Sequence, residues 1–139
     1  MITIDQREAA ITATLDGTIT PAKLRDALQD SKIRDVILWE WQRGGLRGDD
    51  LLPVLRRAMS TRPKDERRLA PVCTLLGLMA WEQSPTLAKA VANAALTLDA
   101  NYPLACLLDG ALSVGMPYDN WAGMFTGLTR EACLNGVTE

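Results

Sequence analysis

The chain has 139 residues, of which 47% are hydrophobic and 23% are charged, and its formal net charge is -2. This composition excludes a disordered chain, and so small a charge provides no overall attraction to nucleic acid or to an anionic membrane. Histidine is absent from the sequence, which excludes serine–histidine and cysteine–histidine nucleophiles and imidazole ligands to zinc. We therefore expect one non-enzymatic domain over residues 1–139, with no cofactor, no metal and no small-molecule substrate.

The three cysteines, Cys73, Cys106 and Cys133, lie in apolar or helical stretches and cannot all pair with one another. Free thiols are ordinary in a reducing cytosol. The first five residues lack the basic and apolar regions of a signal peptide. The uncharged stretch 69–81 is too short for the roughly 20 residues that cross a bilayer. These features predict a cytoplasmic protein without a membrane segment.

Capping residues and prolines predict an all-α chain. Thr20-Pro21 and Ser84-Pro85 each place an N-cap before a proline at the first helical position. Ser31 and Asp49 are predicted as further N-caps. No stretch alternates with a period of two beside turn signals, so no strand is predicted. The pattern indicates seven or eight helices, within about 5–15, 21–29, 31–44, 48–62, 65–81, 84–99, 103–115 and 119–134.

The stretch from Leu69 to Trp81 is almost wholly apolar. A helix that is hydrophobic on all sides belongs in the centre of a fold. Pro71 predicts either a bend in this helix or its true start.

Residues 73–80 and 106–113 form an internal repeat with an offset of 33 residues, close to the 34-residue tetratricopeptide period. The offset superimposes Cys73 on Cys106, Leu75 on Leu108 and Gly77 on Gly110. A small residue in mid-helix lets a second helix approach closely, so Gly77 and Gly110 are both predicted at helix–helix contacts. The next helix along the chain has a face of small residues, Ala88, Ala92 and Ala95, and this face is predicted to pack against the glycine-containing helix.

The end of the first unit, residues 95–102, resembles the end of a tetratricopeptide repeat. Residues 65–135 thus resemble tetratricopeptide-like antiparallel hairpins in a right-handed stack. Two units are fewer than the three usually needed for an independent solenoid, so the helices within 5–62 are expected to cover the exposed end.

Four segments also resemble domain-of-unknown-function family 4192, an actinobacterial group. They are Arg34–Leu38, Ala70–Trp81, Ala88–Tyr102 and Leu112–Pro117. The likeness spans roughly residues 20–125 and corresponds to the C-terminal part of longer members. It implies no catalytic residue and no substrate.

The tetratricopeptide resemblance implies a concave groove lined by the first helix of each pair. Its positions here are Leu78, Trp81, Leu104, Leu107 and Val114, together with Thr74 and Ala111. Such an apolar groove suits an amphipathic helix of a protein partner, or self-association. In the alternative interpretation the helix from Ile33 to Trp41 packs on this face and makes it core.

The segment 43–68 carries eight basic and four acidic residues. Five arginines of this segment form a basic patch, with Lys64 beside them. They suggest a second hypothesis, in which the chain is an accessory domain that associates with nucleic acid through phosphate contacts. Against this, Asp65 and Glu66 lie within the patch and no aromatic residue interleaves for base stacking. A solvated helix end is the simpler interpretation, so nucleic acid is not the expected partner. The patch consists of Arg56, Arg57, Arg62, Arg67 and Arg68.

Trp39 and Trp41 are two positions apart and cannot share one helix face. One is expected in the core and the other partly exposed. Asp49 and Asp50 lack the alternating oxygen ligands of a calcium loop and are better explained by helix capping.

Overall fold

The computed structural model describes residues 2–135, and this part of the chain is all-helical, with nine α-helices, one 3₁₀ turn and no strand. The helices are α1 (Ile4–Leu15), α2 (Pro21–Ala27), α3 (Ser31–Gln42), α4 (Gly48–Met59), α5 (Ala70–Trp81), α6 (Pro85–Leu98), α7 (Pro103–Ser113), α8 (Tyr118–Gly123) and α9 (Arg130–Asn135). The 3₁₀ turn, Glu66–Leu69, immediately precedes α5.

The predicted proline starts are confirmed. The hydroxyl of Thr20 accepts from the backbone N–H of Lys23, and the hydroxyl of Ser84 accepts from that of Leu87. Thr3 and Gln6 form a reciprocal capping box at the start of α1.

Two predicted caps are wrong. Asp30, not Ser31, caps α3, because its carboxylate accepts from the backbone N–H groups of Lys32 and Ile33. An ionised carboxylate makes stronger hydrogen bonds to these donors than a serine hydroxyl does. Asp49 lies inside the first turn of α4, whose N-cap is Arg47.

α5 is the central helix. Pro71 lies in its first turn and marks its start, since the 3₁₀ turn capped by Asp65 absorbs the change of direction before it. The helix packs against α4, α6 and α7. Its buried residues are Ala70, Pro71, Val72, Cys73, Thr74, Leu75, Gly77, Leu78 and Trp81.

The predicted close contact at Gly77 is confirmed. A Cβ atom there would lie 3.0 Å from Cδ2 of Leu108 and 3.4 Å from Cγ1 of Val91. The small face of Ala88, Ala92 and Ala95 is fully buried, also as predicted. The equivalent prediction for Gly110 is wrong, because this glycine is exposed and a Cβ there would meet no atom within 4 Å.

The single last helix predicted to run through Leu134 is also wrong. It is divided into α8 and α9 by the turn and coil of residues 124–129. Glycines at 123 and 127 weaken helix formation here, and the indole N–H of Trp39 donates to the carbonyl of Leu128 at 3.0 Å. α9 then packs along α3, and Arg130 makes a bidentate ion pair with Glu8 of α1 at 2.8 and 2.7 Å.

One cluster of buried apolar side chains extends from Ile11 in α1 to Leu134 in α9. A smaller cluster of Cys73, Ala95 and Ala105 lies where α5, α6 and α7 meet. Among residues 2–135, no helix combines the length and the apolar character that crossing a membrane requires.

Candidate protein-interaction surface

The structure divides the predicted groove into a buried part and an exposed part. Leu78 and Trp81 are each only 1% exposed, so their assignment to an open groove is wrong. Leu107 is 69% exposed and Val114 is 79% exposed, as a binding surface requires. Leu104 is half-buried against the core, and Thr74 is fully buried.

Aromatic side chains of α8 and the following turn cover Trp81. The ring of Tyr118 meets it edge-on, with centroids 5.7 Å apart, and the ring of Trp121 lies at 6.1 Å. Phe125 continues the stack against Trp121 at 5.0 Å. The alternative interpretation expected α3 to cover this face, but α3 packs chiefly along α1 and α9.

The exposed side of α7 forms one uncharged surface. We call Cys106, Leu107, Gly110, Ser113 and Val114 the α7 outer face; all five are exposed, and Val114 is the C-cap of the helix. The only charged residue of α7 is Asp109, which is half-buried and paired with Lys89 of α6. The large aliphatic side chains of Leu107 and Val114 are therefore exposed to solvent, and the exposed face of α7 on which they lie has no charged residue.

Low charge extends along the whole α6–α7 hairpin. Between Gln83 and Tyr118 only Lys89, Asp99 and Asp109 are charged, against 23% of the full chain. The centres of protein–protein interfaces are depleted of charged residues in the same way. The low density of charged residues can be read from the sequence alone. It indicates Cys106 and Ser113, which the groove prediction did not include, as well as Leu107 and Val114, which it did.

Ser113 of α7 contacts Lys89 of α6, which raises the question of a serine nucleophile activated by lysine. Their hydrogen bonds instead link the two helices. The ammonium of Lys89 contacts the carboxylate of Asp109 and donates to Oγ of Ser113 at 2.6 Å. Ser113 in turn donates to the backbone carbonyl of Asp109 at 2.7 Å. Activation of a serine nucleophile needs a base that accepts its proton, whereas Lys89 is the donor in each of its contacts.

The basic patch is partly neutralised. Arg67 pairs with Asp65 at 2.8 Å, and Arg68 pairs with Asp26 at 3.0 Å. Arg56, Arg57 and Arg62 are exposed, and none of them has an ion pair within residues 2–135. Arg56 and Arg57 lie in the last turn of α4, where the helix dipole favours cations.

A cleft of about 460 Å³ lies between the end of α3 and the segment 119–128. The guanidinium of Arg43 stacks over the Trp39 ring at 4.7 Å and pairs with the buried Glu40 at 2.6 Å. Every buried side-chain N and O atom in the described part of the chain has a hydrogen-bond partner. The cleft therefore presents no unpaired buried polar group to a ligand.

Trp39 and Trp41 are both half-buried, so the prediction that one of them is core is wrong.

A half-buried polar cluster ties α3 to the turn between α6 and α7. Arg34 donates to the hydroxyl of Tyr102 at 3.0 Å and to the carboxylate of Asp35 at 2.9 Å. Burial raises the pKa of Asp35 in spite of the adjacent guanidinium, and it also raises the pKa of Tyr102. Since each charged group has a partner inside the cluster, its role is structural. Elsewhere in residues 2–135 no group of three metal-ligating side chains is found.

Comparison of the chain with protein-family models, with curated proteins and with solved structures finds no match. The resemblance to domain-of-unknown-function family 4192 therefore stays a prediction, and the functional argument depends on the geometry of the chain itself.

Proposed function

We propose that this chain is a non-enzymatic helical domain that binds protein through the α7 outer face. The observation that carries the proposal is the exposure of Leu107 and Val114, 69% and 79%, on a helix face that has no charged residue. Removing such aliphatic surface from water contributes roughly 25 cal/mol per Å² buried.

The packing of the second half supports a tetratricopeptide-like interpretation. α5 and α6 form a close hairpin, and α7 packs against both of them. In an array of such hairpins a further helix would follow against α7. Here α8 is short and its rings lie against Trp81 instead. This leaves the α7 outer face open to a helix from another chain.

Site-specific photo-crosslinking in cells tests this proposal. A photo-reactive amino acid at Val114 is expected to give crosslinks to polypeptide, because the side chain lies in the contact. The same reagent at Ile4, which is 53% exposed on α1, is the matched control. Failure to obtain any polypeptide product specific to position 114 would contradict the proposal.

A second function, association with nucleic acid, is favoured by three exposed arginines that form no ion pair within the described part of the chain, Arg56, Arg57 and Arg62. Binding of generic duplex or single strand would then appear at low salt and weaken steeply as salt rises. The double variant Arg56→Glu, Arg57→Glu would abolish it. Lys23→Glu on α2 is the control, because Lys23 is exposed and lies outside the basic patch. Absence of binding at low salt would eliminate this second function.

A further inference from the structure

We infer that the protein segment bound at the α7 outer face inserts a basic side chain, lysine or arginine, into a pocket at the end of that face. The inference rests on the proposed function and names the chemistry of its partner. It follows from the apolar lining of the pocket, from its position beside Val114, and from an unpaired carboxylate among its lining residues.

The pocket lies between the end of α5, the start of α6 and the segment that follows α7, and its volume is about 280 Å³. Pockets for drug-sized ligands measure roughly 300–1,000 Å³, so this one suits a single long side chain. Trp81, only 1% exposed, lies at its base, and Met116, 37% exposed, lies nearer the solvent. Most of the other lining residues are also apolar or aromatic, and they include Pro85, Leu112, Pro117 and Tyr118.

The α7 outer face leads directly into this pocket. Gly115 adopts a left-handed φ of 72° after the C-cap of α7, and the backbone N–H of Met116 donates to the carbonyl of Ala111 at 2.9 Å. This turn carries the chain within two residues from Val114, on the outer face, to Met116, in the pocket lining. A segment that covers Val114 therefore also reaches the pocket.

The charge at the pocket is negative. Among the described residues that line it, only Glu82 is charged; this residue is exposed and forms no ion pair within residues 2–135. Burial raises the pKa of Tyr118, and the negative charges of Glu82 and Asp119 add to this effect. The field of these carboxylates therefore extends to the ring that forms one wall of the pocket.

A basic side chain complements both properties of the pocket. Lysine and arginine have a long apolar stem and a charged head, so the stem can lie along Met116 while the head meets the carboxylate of Glu82. An acidic side chain would meet a like charge. A purely aliphatic one would take Glu82 out of water without giving it a partner, which costs free energy.

Titration with small cations, followed by methyl NMR of the methionines, tests the preference of the pocket. The probes are n-butylammonium and n-propylguanidinium, the side chains of lysine and arginine, added to about 100 mM at constant ionic strength. At least one of them should shift the Met116 signal saturably, whereas n-butanol and butyrate, which lack the positive charge, should do so far less. Met124, which is 67% exposed and lies outside the pocket, is the internal control.

The role of the carboxylate is tested by Glu82→Gln, which should weaken binding of the cation about 5-fold. Glu66→Gln is the matched control, because Glu66 is also exposed but lies in the 3₁₀ turn before α5. Circular dichroism establishes that both variants are folded. Equal shifts with butanol and with the cations, or equal binding by Glu82→Gln and wild type, would overturn the inference.

Crosslinking from position 114 in cells tests whether the cation belongs to the partner protein. The polypeptide product should be lost in the Glu82→Lys background, where two positive charges repel, and should persist in Glu66→Lys. A product whose yield is the same in both backgrounds overturns the inference and leaves the proposed function standing, even if the pocket binds the small cations. If no polypeptide is crosslinked in the wild type, the inference falls together with the proposed function.

Discussion

Gly77 and Gly110 occupy equivalent positions in the repeat but opposite environments in the fold. The first lies against Leu108 and Val91, and the second faces open space. A methyl group at Gly77 must displace a leucine that is only 2% exposed, and forcing extra volume into a packed core costs about 1–3 kcal/mol. At Gly110 an added methyl group meets no atom within 4 Å, so alanine there has only the stabilising effect of its higher helix propensity.

Gly110→Ala is therefore expected to raise the free energy of unfolding by about 0.5–1 kcal/mol, through the gain in helix propensity. Gly77→Ala should show none of this gain and should fall at or below the wild type, because overpacking opposes it. Urea unfolding measures the effects of both substitutions. Equal effects of the two substitutions would contradict the assigned environments.

Asp30 combines two roles at the start of α3, as the N-cap of the helix and as the partner of an arginine in α1. Its carboxylate accepts from the backbone N–H groups of Lys32 and Ile33, both at 3.0 Å, and pairs with Arg7 of α1 at 3.0 Å. Burial acts to raise the pKa of Asp30, but the Arg7 pair and the two backbone donors outweigh it and hold that pKa below its ordinary value. The charged form is thus favoured by folding.

Asp30→Asn is expected to lower the free energy of unfolding at pH 7 by roughly 1 kcal/mol, since asparagine keeps a capping oxygen but loses the ion pair. A depressed folded-state pKa contributes stability above the unfolded pKa of about 3.9, and this stability disappears as the pH falls through the folded pKa. The difference from wild type should therefore narrow between pH 7 and about pH 3.

Urea unfolding at both pH values checks this expectation. Asp16→Asn, at the exposed C-cap of α1, is the control: it should not lower the free energy of unfolding at pH 7, because Asp16 caps no helix N-terminus and forms no ion pair within residues 2–135. A constant difference between Asp30→Asn and wild type would show that the carboxylate charge is not what stabilises α3.

At the scale of elements, the break between α8 and α9 decides what is buried and what is exposed. After the turn at 124–129 the chain changes direction, and α9 packs along α3. The hydrogen bond from the Trp39 indole to the Leu128 carbonyl fixes the start of this segment on α3. The rings of α8 then cover Trp81. One unbroken helix from Asp119 to Leu134 could not do both.

Trp39→Phe keeps an aromatic ring but removes the N–H that donates to Leu128. The lost hydrogen bond is expected to cost about 1–2 kcal/mol, and the effect should be local. Amide hydrogen exchange in α9 should become faster relative to α5, as measured by mass spectrometry of peptides from each helix.

Trp41→Phe is the matched control, because the Trp41 indole is also half-buried but donates to no group within residues 2–135. It should leave the exchange of α9 near that of wild type. Unchanged exchange in α9 of the Trp39 variant would show that this bond does not hold the helix in place.

At the scale of the molecule, the buried cluster that runs from α1 to α9 joins both halves of the chain. The apolar helix α5 has nine buried residues and packs against α4 as well as α6 and α7. Residues 65–135 alone would therefore leave one side of α5 in water.

We expect the full chain to unfold in one cooperative transition, with coincident changes in tryptophan fluorescence and far-ultraviolet circular dichroism. A fragment of residues 65–135 should lack such a transition, because the segment 5–62 supplies part of the cover of α5. Two separate transitions in the full chain, or cooperative unfolding of the fragment, would show that the halves fold independently.

Features that depend on a few neighbouring residues could be predicted from the sequence. The helices that begin at Pro21, Pro85 and Pro103, the central position of α5 and the contact at Gly77 are of this kind. Capping and backbone restriction act over three or four residues, and an apolar run of this density has nowhere to lie except the core.

The tertiary structure decided which half of the predicted groove is open. Leu78, Trp81, Leu107 and Val114 look alike in the sequence, yet the first two are buried and the last two are exposed. The difference arises because burial depends on what lies opposite. For Trp81 that is α8, whose position depends on a turn and on a hydrogen bond between residues 39 and 128. Such long-range contacts have no signature in the local sequence.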